Sequence, residues 1–217
     1  MSDDAEALET IATRLTERYG CHAAVLYGSR ARGDATPASD WDVAAFCDTP
    51  GEQWDAVRLP AGLLLDAFVY GPETLGAPGD AMLRLRGGRV LFDRRGVLDA
   101  LLARLDARYA EGPEPLSPET RAGLSLWHDK TLARIALDDD EGRYRRVRLL
   151  ADALENYLRL RGRWFEGSKH AWRWLEREAP ADLAVFRRAL TPGAGLDALA
   201  DLAEVIAGPS LSRRSSP

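Results

Sequence analysis

Three aspartates and one glycine–serine pair are the residues whose types and spacing point to chemistry. In "LYGSRARGDATPASDWDVAAF", Leu26 to Phe46, a hydrophobic run breaks at Gly28 and Ser29 and restarts around Asp40 and Asp42. Side chains of a strand alternate, so Asp40 and Asp42 are expected on one face and Trp41 and Val43 on the other. Like charges set that close repel unless a cation lies between them, and carboxylate oxygens suit hard divalent ions such as Mg²⁺. Asp66, inside the apolar run "LLLDAFVY", needs a partner to be buried, and the same metal site is the expected one. Three carboxylates around two Mg²⁺ ions would orient an attacking oxygen and clamp a triphosphate for in-line displacement.

Phosphate needs a cradle, and a strand ending in Gly-Ser offers one. Gly28 lets backbone come close, outward backbone N–H groups and the Ser29 hydroxyl donate, and Arg30 and Arg32 bring planar cationic forks. Either arginine can also be read as a solvated surface residue.

These side chains require a sheet. The order is a helix from Asp3 to Tyr19, a strand in "CHAAVLYG", a turn or short helix at "SRARG", and a second strand in "SDWDVAAFCD". A third follows in "AGLLLDAFVYG", then a short fourth from Arg89 to Phe92 and a helix over about 97–109. The Pro- and Glu-rich "EGPEPLSPET" reads as a connection between domains. Beyond it come five helices, over about 118–137, 142–161, 168–178, 181–190 and 196–207, and "GPSLSRRSSP" reads as a tail. The expected division is 1–112, 113–208 and a flexible 209–217.

"GSRARG", then "DWD", then the acid in "LLLDAFVY" resemble the DNA polymerase β-like nucleotidyltransferase superfamily, in particular its small stand-alone and antibiotic-modifying members. The resemblance covers the first half of the chain. It implies an α+β chain: a nucleotidyltransferase domain with a mixed sheet flanked by helices, followed by an all-α bundle. It implies two Mg²⁺ ions, ATP or another nucleoside triphosphate, and transfer of AMP or another nucleotide to a hydroxyl with release of pyrophosphate. Carried over, Gly28 and Ser29 hold the triphosphate and Asp40, Asp42 and Asp66 hold metal.

The helical half resembles the corresponding part of the antibiotic-modifying members more loosely. Glu155 lies on the shoulder of an apolar face; it is a candidate general base or a partner of Arg148 or Arg159. Lys130 and Lys169 are the chain's lysines, and both are candidate triphosphate ligands; on a helix Lys130 shares a stripe with Trp127 and Arg134. His128 reads as a core histidine.

At 217 residues and 46% hydrophobic content the chain can bury an ordinary core. A net charge of -5 argues against a partner held by non-specific phosphate attraction, such as nucleic acid. No apolar run approaches the roughly 20 residues of a membrane span, and the acidic start is unlike a signal peptide, so a cytoplasmic protein is expected. The acidic run "DDDE", Asp138 to Glu141, suits either a cationic acceptor or a solvated loop. The leading reading is transfer to a small-molecule hydroxyl, such as an antibiotic's. Transfer to a protein by an antitoxin-like enzyme and a non-catalytic nucleotide-binding module are the alternatives. Acceptor, preferred base and homodimer formation stay open.

Overall fold

A computed structural model of the chain describes residues 3–208, and the expected tail, 209–217, lies outside them. Two compact units meet in sequence at Glu111 and Gly112. The molecule is α+β, with a mixed sheet and helices in the first unit and helices alone in the second.

The first unit runs α1 (Asp3–Tyr19), β1 (Ala23–Tyr27), α2 (Gly28–Arg32), β2 (Trp41–Phe46), β3 (Glu52–Arg58), β4 (Leu64–Tyr70), α3 (Pro72–Gly76), β5 (Arg89–Asp93) and α4 (Leu98–Glu111). Short 3-10 helices cover Pro60–Gly62 and Asp80–Leu85. The sheet order is β3-β4-β2-β1-β5, with β2 and β4 parallel and every other pair antiparallel. Ile11 and Leu15 of α1 pack on the face made by Leu26, Trp41, Val43, Ala45, Leu65, Ala67 and Val69. The opposite face carries Tyr27, Asp42 and Asp66, which alternation along three strands places side by side.

One strand more is present than the sequence reading expected. "EQWDAVR" forms β3 at the sheet edge, where exposure leaves little apolar signal. On its inward face Val57 packs against the core, and the buried residue is Asp55, which accepts bonds from Arg14 Nε (2.7 Å) and Nη2 (3.0 Å) of α1. An inward-pointing charge on an edge strand satisfies its own chain and discourages edge-to-edge pairing. The Arg14 guanidinium holds the Asp55 carboxyl below its ordinary range.

The second unit holds α5 (Pro118–Ile135), α6 (Asp140–Leu160), α7 (Ser168–Glu178), α8 (Pro180–Leu190) and α9 (Leu196–Ala207). Its core gathers Leu149, Tyr157, Leu175, Phe186, Leu199 and Leu202. Ser117 caps α5 by accepting from the Thr120 N–H (3.1 Å), and Asp139 caps α6 by accepting from the Gly142 N–H (2.8 Å). No helix among the described residues is long and apolar enough to cross a membrane. Cys21 and Cys47 are buried free thiols.

Candidate active site

The parallel pairing of β2 and β4 sets Asp42 directly opposite Asp66, and β1 brings Tyr27 opposite Asp42. The C-terminal end of β1 and the N-terminal ends of β2 and β4 therefore meet at one rim of the sheet. Asp40 precedes β2 in the loop rather than within the strand. Asp40, Asp42 and Asp66 each still offer an oxygen to one cluster, all within 4.8 Å of one another. Asp40 is exposed and the other two are partly buried.

This proximity has an electrostatic signature. Burial, then the charges of Asp40 and Asp66, hold the Asp42 proton up to about 6, while Arg32 and Arg84 pull the other way. Three carboxylates gathered this closely make a donor set fitting a hard divalent cation. The residues present thus fit the Mg²⁺ expected from the sequence.

Gly28 is required here twice over. Its φ of +72° is a left-handed conformation, and a Cβ on it would run into the Asp42 carboxylate. The tight passage carries the chain from β1 into the short α2, with Ser29 buried beneath it. Gly33, at φ +78°, ends α2, and its N–H donates to the Ser29 carbonyl.

The two arginines of "GSRARG" diverge. Arg30 Nε donates to the carbonyls of Ser39 (3.2 Å) and Asp40 (3.1 Å), Nη2 donates to Ser39 (2.7 Å), and the guanidinium lies 4.2 Å from the Trp41 ring centroid. Its fork braces the loop that delivers Asp40. Arg32 is exposed, 3.5 Å from Asp34, and close enough to Asp42 to favour its charged form.

Two neighbours escaped the sequence reading. The Trp54 indole N–H of β3 donates to an Asp66 oxygen at 2.5 Å, so Asp66 has a partner within its own chain. Arg84, from the 3-10 helix before β5, donates to the Tyr70 hydroxyl and lies 4.4 Å from the Phe68 centroid and 5.4 Å from that of Tyr27. A tryptophan diagonal to an aspartate across an edge pair would have signalled the first, had β3 been recognised; for Arg84 the sequence offers no signal.

Three candidates lie in the second unit. Lys130 is exposed on α5, Lys169 is exposed in the first turn of α7, and Glu155 is exposed on α6, 3.7 Å from Arg159. Arg134, placed by sequence on the Lys130 stripe, pairs with Asp139 at 2.6 Å. Asp138 and Asp140 lie 3.5 and 3.0 Å from Arg143, so the "DDDE" run makes local caps and ion pairs. His128 is buried on α5, and burial lowers its pKa.

Residues 9–67 match the family described as Polymerase beta, Nucleotidyltransferase, a span that includes Gly28, Ser29 and all three aspartates. The first unit carries a polymerase β-like nucleotidyltransferase domain. Among solved structures the chain is similar to a nucleotidyltransferase-like protein from Exiguobacterium sibiricum 255-15, at 16% identity and a TM-score of 0.42, over 93% of this chain and 72% of that one. No curated protein matches the sequence.

Proposed function

We propose that the protein transfers a nucleotidyl group from a nucleoside triphosphate to a hydroxyl of a small molecule, with Asp40, Asp42 and Asp66 holding divalent metal. The observation that carries this reading is the three-carboxylate cluster set against Gly28, where no larger residue fits. Bound Mg²⁺ would supply the positive charge that orients the attacking oxygen and offsets charge on the triphosphate.

The chain's own residues do the rest. Gly28 leaves room for the Asp42 carboxylate to lie against the turn, and the Ser29 hydroxyl and neighbouring backbone N–H groups donate to phosphate oxygens. Arg32 adds a charge at the same rim, whereas Arg30 acts by fixing the Asp40 loop. The acceptor oxygen bonds to the α-phosphorus, the bond to the β-phosphate oxygen breaks, and pyrophosphate leaves. The hydroxyl proton passes to a carboxylate, for which Asp66 and Glu155 are the candidates. Lys130 and Lys169 are proposed to bind substrate phosphate from the second unit.

The test is a panel of hydroxyl compounds, antibiotics included, incubated with the full chain, Mg²⁺ and α-labelled nucleoside triphosphates. Stoichiometric pyrophosphate and a labelled acceptor are expected, and both should vanish in Asp42→Asn. Label found only on a protein would move the reading to the macromolecular acceptor.

A further inference from the structure

Trp54 is a large aromatic residue, 68% exposed, on a strand that the sheet could build without it. Its ring is nonetheless held in place. In the β3–β4 register Trp54 lies opposite Phe68 and Ala56 lies opposite Asp66, so the indole reaches diagonally across a position occupied by a small side chain. The ring stacks on Phe68 at 6.4 Å and 19°, and Phe68 stacks on Tyr70 at 6.4 Å and 15°. The stack aims the only polar atom of the indole side chain at Asp66, 2.5 Å away.

We infer that Trp54 is a positioning residue for the carboxylate cluster: its N–H fixes one Asp66 oxygen so that the other stays turned toward Asp40 and Asp42. A free aspartate on a strand samples several rotamers, and a ligand set that must be assembled binds metal more weakly than one already assembled. Outer partners that orient metal-binding carboxylates commonly affect affinity by about tenfold or more. This inference rests on the metal reading of the three aspartates.

The test separates the N–H from the ring. In the full chain, Trp54 is replaced by benzothienylalanine, which keeps the bicyclic shape and puts sulfur where the N–H was, and separately by Phe. Mn²⁺ alone is the probe, with affinity measured by water-proton relaxation, alongside thermal melting and the kcat and KM of any established transfer. The expected result is Mn²⁺ affinity about tenfold lower in both variants. Melting should be unchanged, and a fall in kcat should exceed any change in KM for the acceptor. Mn²⁺ affinity within twofold of the parent in the benzothienylalanine protein, with Asp42→Asn abolishing Mn²⁺ binding, overturns the role of Trp54 and leaves the metal reading standing. If Asp42→Asn keeps full Mn²⁺ affinity, the metal reading fails and this inference with it.

Discussion

Asp42→Asn should make the metal-free protein more stable while removing its function. Asp42 has a native pKa of about 6 against an ordinary 3.8, so the native state binds its proton more tightly than the unfolded chain does. For a raised pKa the contribution to stability is fully present below about 3.8 and is lost as pH rises through about 6; above that, the ionised carboxylate opposes folding. At about 1.36 kcal/mol per pKa unit the gap has a ceiling of about 3 kcal/mol. Asp42 is only partly buried, so solvent screening reduces the expected gain to about 1–2 kcal/mol. Asparagine keeps the shape beside Gly28 and carries no charge. The variant should therefore gain that amount at pH 8 in EDTA and progressively less as pH falls toward 4. Because the chain has two units, hydrogen exchange of the β1 and β2 amides is the suitable readout, since it reports the first unit separately. Added Mg²⁺ should narrow the difference by stabilising the parent alone. An Asp42→Asn protein that is less stable than the parent at pH 8 without metal, or equally more stable at pH 5 and pH 8, would refute the electrostatic reasoning.

Gly28→Ala should cost the first unit about 1–2 kcal/mol from its left-handed φ alone, and contact with Asp42 should abolish triphosphate binding; calorimetry with a non-hydrolysable analogue checks it. Asp66→Ala should leave metal-free stability nearly unchanged, because the Trp54 N–H it releases lies at an exposed position, while both Asp66→Ala and Asp66→Asn should lose transfer; a marked loss of melting temperature in Asp66→Ala would assign Asp66 a structural role instead. Asp55→Ala should destabilise by about 1–3 kcal/mol, since it leaves Arg14 facing a half-buried gap. The lowered Asp55 pKa means that its contribution is present above the ordinary carboxylate range and is lost as pH falls through the native value, so acid unfolding of the parent but not of Asp55→Ala should carry this component. Lys130→Ala and Lys169→Ala test the second unit: a phosphate ligand should weaken analogue binding about tenfold or more, and a surface lysine should leave it within twofold.

The parts of the fold and site that could be read from sequence are those whose physics is local. Gly28 followed by Ser29 after an apolar strand, and acids breaking the period-two pattern at Asp42 and Asp66, declare themselves because each violates what an ordinary buried strand requires; Asp40 was legible by its spacing from Asp42, although it lies in the loop before β2. The helices after Ser117 are nearly as plain: α5 begins at Pro118 as expected, while the Asp139 cap starts α6 at Asp140, two residues before the expected 142. What failed to show depends on register. β3 is an edge strand whose inward face reads Gln53, Asp55 and Val57, so it lacks an apolar alternation, and the Asp55 to Arg14 pairing spans 41 residues. Trp54 and Arg84 matter only because β3 lies beside β4 and the Asp80–Leu85 turn lies against the Tyr27 face. Arg30 was visible by type, but its direction was not: the loop carbonyls of Ser39 and Asp40 capture it.

The most direct test of the central claim needs no knowledge of the acceptor: calorimetric titration of a non-hydrolysable nucleoside triphosphate analogue into the full chain, with and without Mg²⁺, for the parent and for Asp42→Asn. Binding should require Mg²⁺ in the parent and disappear in the variant while the first unit stays folded. Equal binding in EDTA and in Mg²⁺, or an Asp42→Asn protein that binds as the parent does, would contradict a metal-dependent nucleotide site at Asp40, Asp42 and Asp66.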